Sequence, residues 1–131
     1  MKPIEEVYPG EEATCFGVDD YLPMLDSIGD VVVRVDDADW SGDSRVLYRD
    51  GDRFGVLTFG WGSCSGCDSL QRCYSYEEVD RLRNGLVADI KWGSREETVA
   101  YLASKDWEVE ATYRPDKTKE FLEKALQVLK S

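Results

Sequence analysis

The sequence predicts an α+β domain: a three-stranded antiparallel meander over about residues 30–60, followed by and covered with helices. Three observations predict it. Apolar, β-branched runs are clustered between residues 30 and 60, the pair Asp50-Gly51 separates two of them, and from Ser75 onward the apolar residues recur at helical spacing.

The opening stretch MKPIEEVYPGEEA is polar and marked by proline and glycine, so residues 1–14 are expected to be a loose arm of a single domain spanning 1–131. In DDYLPMLDSIG, Leu22, Leu25 and Ile28 fall on one face of a short helix that Gly29 ends. The period then changes. DVVVRVDD is a β-branched strand flanked by acids, and SRVLYRDGDRFGVLTFG is a hairpin whose Asp50-Gly51 pair supplies the positive φ of a tight turn.

Ser75 and Glu78 stand at capping-box spacing, and Val79, Leu82, Leu86 and Ile90 follow on one helical face. Ser94 and Glu97 repeat the device ahead of Val99 and Leu102. WEVEATYR alternates over a few residues, which suggests a short edge strand near 107–113. PDKTKEFLEKALQVLK closes the chain as a helix with Phe121, Leu122, Ala125 and Leu129 on its buried stripe. These helices are expected to cover one face of the sheet.

At 131 residues, 42% hydrophobic and 33% charged, the chain is long enough to bury one core without staples. No apolar run approaches the roughly 20 residues that span a bilayer, so no membrane partner is expected. The N-terminus lacks the hydrophobic stretch of a secretory signal. A cytoplasmic location, where thiols stay reduced, is the expectation.

The formal charge of −11 is unevenly spread: residues 1–52 carry 14 acids against 4 bases, and residues 53–131 carry 13 against 12. Such a field repels nucleic-acid phosphates and favours a protein with a basic surface. The chain has no histidine. That excludes Ser-His-Asp and Cys-His catalysis, histidine metal sites and the usual neutral-pH general base.

Three of the four cysteines lie within FGWGSCSGCDSLQRC: Cys64 and Cys67 form a C-x-x-C, Cys73 follows, and Cys15 is distant. Three readings compete. Two thiolates on one tight turn suit structural zinc, with Cys73 and Cys15 completing a four-sulfur site if the fold brings the N-terminal segment alongside. No other cofactor is called for. Redox chemistry is the second reading, because the apolar strand, Trp61 and C-x-x-C resemble a thioredoxin active site, in which a helix N-terminus stabilises a thiolate at Cys64 and Cys67 resolves the mixed disulfide. The upstream hairpin and the absence of a proline between the motif and Pro115 depart from that fold. The third reading is architectural: Gly60, Gly62 and Gly66 allow a sharp turn, and Ser63 or Asp68 accepts backbone N–H bonds at a helix start.

The run YRDGDRFGVLTFGWGSCSGCDSLQRC followed by DIKW resembles a group of small bacterial and phage proteins over about residues 30–107. The resemblance implies a compact stand-alone domain, encoded by a phage or mobile element, that modulates host machinery. It carries over no catalytic residue.

DDADWSGD matches the start of a calcium loop at Asp37, Asp39, Ser41, Gly42 and Asp43, but the twelfth position is Tyr48 where a bidentate glutamate is required. An acidic turn between strands fits better. Trp40, ringed by Asp36, Asp37, Asp39 and Asp43, would be an interface anchor if exposed, although a partly buried tryptophan fits the pattern better. Trp92 and Trp107 suit the sheet–helix core. The paired glutamates Glu77/Glu78 and Glu96/Glu97 sit in first helical turns, where they complement the helix dipole. The function that follows is a non-enzymatic, protein-binding module acting through an acidic face, with a DNA-mimic inhibitor as its sharper form. A thiol oxidoreductase or a zinc-binding domain is the alternative.

Overall fold

The computed structural model describes residues 1–9, 21–37, 42–62, 68–70, 72–104 and 115–131. Chain order runs α1 (Ile4–Val7), α2 (Leu22–Ile28), β1 (Asp30–Asp36), β2 (Gly42–Asp50), β3 (Arg53–Trp61), α3 (Tyr76–Asp89), β4 (Lys91–Ser94), α4 (Arg95–Ser104) and α5 (Pro115–Lys130). The architecture is α+β, with the meander as its centre. The suggested strand near 107–113 lies outside the described residues.

The sheet is antiparallel throughout, in the order β1-β2-β3-β4. β2 and β3 pair from Gly42↔Trp61 to Asp50↔Arg53, closing at Gly51, whose φ of 62° is the conformation that the turn demands. The meander gains a fourth strand where the sequence pattern continued a helix. Ile90 has ψ 126°, so α3 stops at Asp89, and Lys91–Ser94 pairs with Val56–Arg53 along β3. Ser94 then turns the chain into α4 by a complete capping box: Glu97 N donates to Ser94 Oγ (3.1 Å) and Ser94 N donates to Glu97 Oε1 (3.0 Å). The backbone bond from Ser94 holds the Glu97 carboxyl below the usual carboxylate range.

Helices cover both faces of the sheet, not one. On the first face α1, α2 and α3 seal a cluster in which Met24, Leu25, Val46, Tyr48, Leu57, Leu70 and Val79 are fully buried. On the second, α4 and α5 pack Leu102, Phe121, Ala125 and Leu129 against Val33, Val35, Leu47, Phe54 and Val56. β2 is consequently buried without interruption from Ser44 to Tyr48, neighbours pointing to opposite cores. Fully burying each such aliphatic or aromatic side chain contributes about 1.5–3 kcal/mol. β1 meets this demand with a bulge. Val31 pairs with Tyr48 and Val33 with Leu47, leaving Val32 as the extra residue, so Val31 joins the first cluster and Val33 the second.

Two expectations change. In α2, Met24 and Leu25 are the buried positions and Leu22 is 43% exposed, because the helix rests on its 24/25 side. The opening segment is docked through residue 9: Ile4 and Tyr8 are core residues, Arg83 Nη1 donates to Lys2 O (2.6 Å), and Tyr76 Oη donates to Tyr8 O (2.6 Å). Residues 10–14 lie outside the described residues.

Candidate functional site

The acidic set divides. At the end of β1, Asp36 stays at the surface and pairs with Arg34 Nε at 2.9 Å. Asp37, one residue on, points inward and is 4% exposed. Its Oδ1 receives Arg45 Nη1 at 2.9 Å, and its Oδ2 receives Asp43 N at 2.9 Å. Asp37 N donates to Asp43 O in return (3.0 Å), and Arg45 Nε donates to Thr118 Oγ1 in α5 (3.0 Å). A Cβ on Gly42 would stand 2.6 Å from the Asp37 side chain, so the glycine is what admits this carboxylate. Arg45, Thr118 and Asp37 are all nearly sealed from solvent. The expected surface role of Asp37 is thereby corrected: burial and the ion pair remove it from any interface. Asp43 is half-buried beside it. Asp39 and Trp40 lie outside the described residues.

The cysteine segment is organised by a buried carboxylate. Cys15, Cys64 and Cys67 lie outside the described residues, but both ends of the 63–67 stretch are fixed. Asp68, 1% exposed, accepts from Gly62 N (3.0 Å) and from Tyr21 Oη (2.9 Å) on the same oxygen. Tyr21 Oη accepts in turn from Leu70 N (3.1 Å). Burial, reinforced by the neighbouring Asp68 charge, pushes the Tyr21 hydroxyl well above the ordinary tyrosine range, so it stays a donor. The sequence suggests that Asp68 accepts backbone N–H bonds at a helix start; the backbone N–H described on its carboxylate comes from Gly62, just past the end of β3. Cys73 is buried in the same cluster as Tyr8, Tyr21 and Leu70, and its thiol donates to Ser69 O at 3.3 Å. In sequence, Tyr8 and Tyr21 are the core residues before and after the segment that contains Cys15. Among the described residues, no three cysteine, aspartate or glutamate side chains converge to hold a metal ion.

Trp61 packs partly buried on the first cluster and donates from Nε1 to Ser44 Oγ at 2.9 Å. Trp92 joins the same cluster from β4, with the Arg53 guanidinium 5.4 Å from its ring centre. Trp107 lies outside the described residues.

Sequence reasoning did not find the cleft between α1 and α2. It has a volume of ≈ 330 Å³ and is lined by Lys2, Glu6, Val7, Pro23, Asp26 and Ser27. Its floor adjoins the buried Arg83, which donates to Ser27 Oγ (3.2 Å) and to Asp80 Oδ1 (3.0 Å). The exposed Leu22 is the chain neighbour of Pro23 in its wall. The only sequence signal was the density of acids in the first fifty residues. Among the described residues no helix is long and apolar enough to cross a membrane. Comparison with protein-family models, with curated proteins and with solved structures finds no match to this chain.

Proposed function

We propose that this protein is a small non-enzymatic binding module that meets a basic protein surface through the carboxylates of its N-terminal half. One observation carries the reading: the α1–α2 cleft has two carboxylates, Glu6 and Asp26, against the single cation Lys2 on its walls, and the exposed apolar Leu22 beside it. Glu5 is exposed on the same short helix. An apolar anchor with charged surroundings is the pattern by which interfaces gain both affinity and steering. The resemblance to bacterial and phage proteins extends the reading to a modulator of a host protein. The test is binding of a fluorescent oligolysine peptide by the full chain at low and high salt. The wild type should bind and lose affinity with salt, and Glu5→Gln/Glu6→Gln/Asp26→Asn should lose about tenfold or more at low salt. A wild type that ignores the peptide, or a triple variant that binds as well, overturns the reading.

The cysteine segment supports a second reading, a thiolate zinc site, with a redox pair as its rival. The observation in its favour is the Asp68 clamp, which holds together the two ends of the stretch bearing Cys64 and Cys67. Cys73 and both flanks of the Cys15 segment share the adjoining core. Elemental analysis with native and denatured thiol counts decides it. About one zinc per chain with masked thiols supports the site, one fast-reacting thiol without metal supports redox chemistry, and slow thiols without metal overturn both.

A further inference from the structure

A second surface, along the flank of α3 beside Ser69, Arg72 and Cys73, is independent of the α1–α2 cleft. A groove of ≈ 490 Å³ runs along this helix, and Glu78, Arg81, Leu82, Gly85, Leu86 and Asp89 form its helical wall. These positions follow i, i+3, i+4, i+7, i+8 and i+11, the spacing of a single helix face. Leu86 is buried in the first core and Leu82 is half-buried against it, so they form the floor, while Arg81, Gly85 and Asp89 are exposed along the rim.

Among the described residues nothing requires Gly85 to be glycine. It sits in the interior of a 14-residue helix, where glycine costs roughly 1 kcal/mol against alanine. A Cβ built on it meets nothing within 4 Å, and its φ is not in the positive range. A missing side chain at the centre of an exposed helix face is what allows a second backbone to approach closely.

The charge pattern identifies whose backbone. Arg81 lies four residues before Gly85 and Asp89 four after, about 6 Å to either side along the axis. When two copies of α3 cross antiparallel at Gly85, Arg81 of each faces Asp89 of the other. The face is complementary to itself, as a two-fold interface requires. Both charges are available. Asp89 is exposed and has no ion pair among the described residues, while Arg81 pairs only with Glu77 at 3.2 Å, with the two side chains 72% and 83% exposed. An exposed pair of that kind is readily exchanged.

We propose that this chain associates with a second copy of itself through antiparallel packing of α3 about Gly85, secured by two Arg81–Asp89 ion pairs. The test is sedimentation equilibrium of the full chain between about 10 μM and 1 mM, with circular dichroism confirming that each variant is folded. The wild type should form dimers. Arg81→Glu and Asp89→Arg should each weaken association more than about tenfold by opposing like charges. An equimolar mixture of the two single variants should dimerise again, because each altered charge then meets its complement, a result that requires positions 81 and 89 to face each other across the interface. Gly85→Leu should abolish dimers without touching a charge. A wild type monomeric up to the highest concentration overturns the proposal, whatever else binds the groove. So does a dimer that both charge reversals leave intact, or a mixture that stays monomeric.

Discussion

Asp36 and Asp37 are neighbours in sequence and chemically identical, yet removing each should have very different consequences. Asp37→Ala strips the carboxylate from Arg45, which remains buried with Thr118 Oγ1 and a 3.4 Å contact to Asp43 O, and it leaves Asp43 N without its acceptor. Breaking one side of a buried ion pair costs about 3–5 kcal/mol, because the surviving charge stays out of water. Asp36→Ala removes only a surface pair with Arg34, worth about 0–1 kcal/mol. Urea denaturation should therefore show a large fall in midpoint for Asp37→Ala at unchanged slope, and almost none for Asp36→Ala. The corresponding fall in melting temperature is roughly 10–20 °C for a chain of this length. The double variant Asp37→Ala/Arg45→Met should recover most of the loss, since no charge is left buried. If Asp37→Ala stays within about 1 kcal/mol of the wild type, or matches Asp36→Ala, the pair is not a buried structural one and Asp37 returns to the surface as an interface residue.

Two further outcomes are expected. Tyr21 and Tyr48 both have hydroxyls raised above the ordinary value, chiefly by burial and secondarily by Asp68 and Asp26, respectively. Above about pH 10 the unfolded chain releases protons that the fold retains, so stability is intact below that pH and falls as pH rises beyond it, by up to about 1.4 kcal/mol per pH unit for each group. Urea melts at stepped alkaline pH should show this slope, and Tyr21→Phe should make it shallower; an unchanged slope refutes the assignment. Gly55→Ala should destabilise by about 1–3 kcal/mol, because its Cβ would lie 2.6 Å from Ile90 Cγ2 and 2.8 Å from the Trp92 ring. A melting temperature equal to the wild type would mean that β4 does not pack over β3 as described.

The meander, its turn and most helix faces were legible because each is a local pattern: Asp50-Gly51 forces the hairpin, and Ser94 with Glu97 caps α4. What escaped depends on contacts between distant residues. Consecutive apolar residues in Val46-Leu47-Tyr48 and Val56-Leu57 are a sign of burial on both faces, but alternation within a hairpin suggested one. Ile90 fits the helical stripe of α3 by period, and only the vacancy beside β3 over Gly55 draws it out of the helix. At the candidate site, the count of acids was visible, but which acid would find Arg45 was not. That choice rests on Gly42 leaving room for Asp37 and on Thr118 arriving from the other end of the chain. The link from Tyr21 to Asp68 spans 47 positions and has no local signature.

The two-sided sheet also sets an order of events during synthesis. Every described strand has left the ribosome before α5, yet α5 supplies Phe121, Ala125 and Leu129 to the second core and packs chiefly on β1, the first strand made. The nascent chain can close its first face over α1–α3 while, until α5 arrives, the opposite face with Val33, Val35, Leu47, Phe54 and Val56 is covered by α4 alone. Arg45 waits with them, since its Thr118 acceptor is translated late. A translation product that stops before Pro115 is therefore a half-sealed sheet with a sticky side, and quality control has a clear feature by which to recognise it.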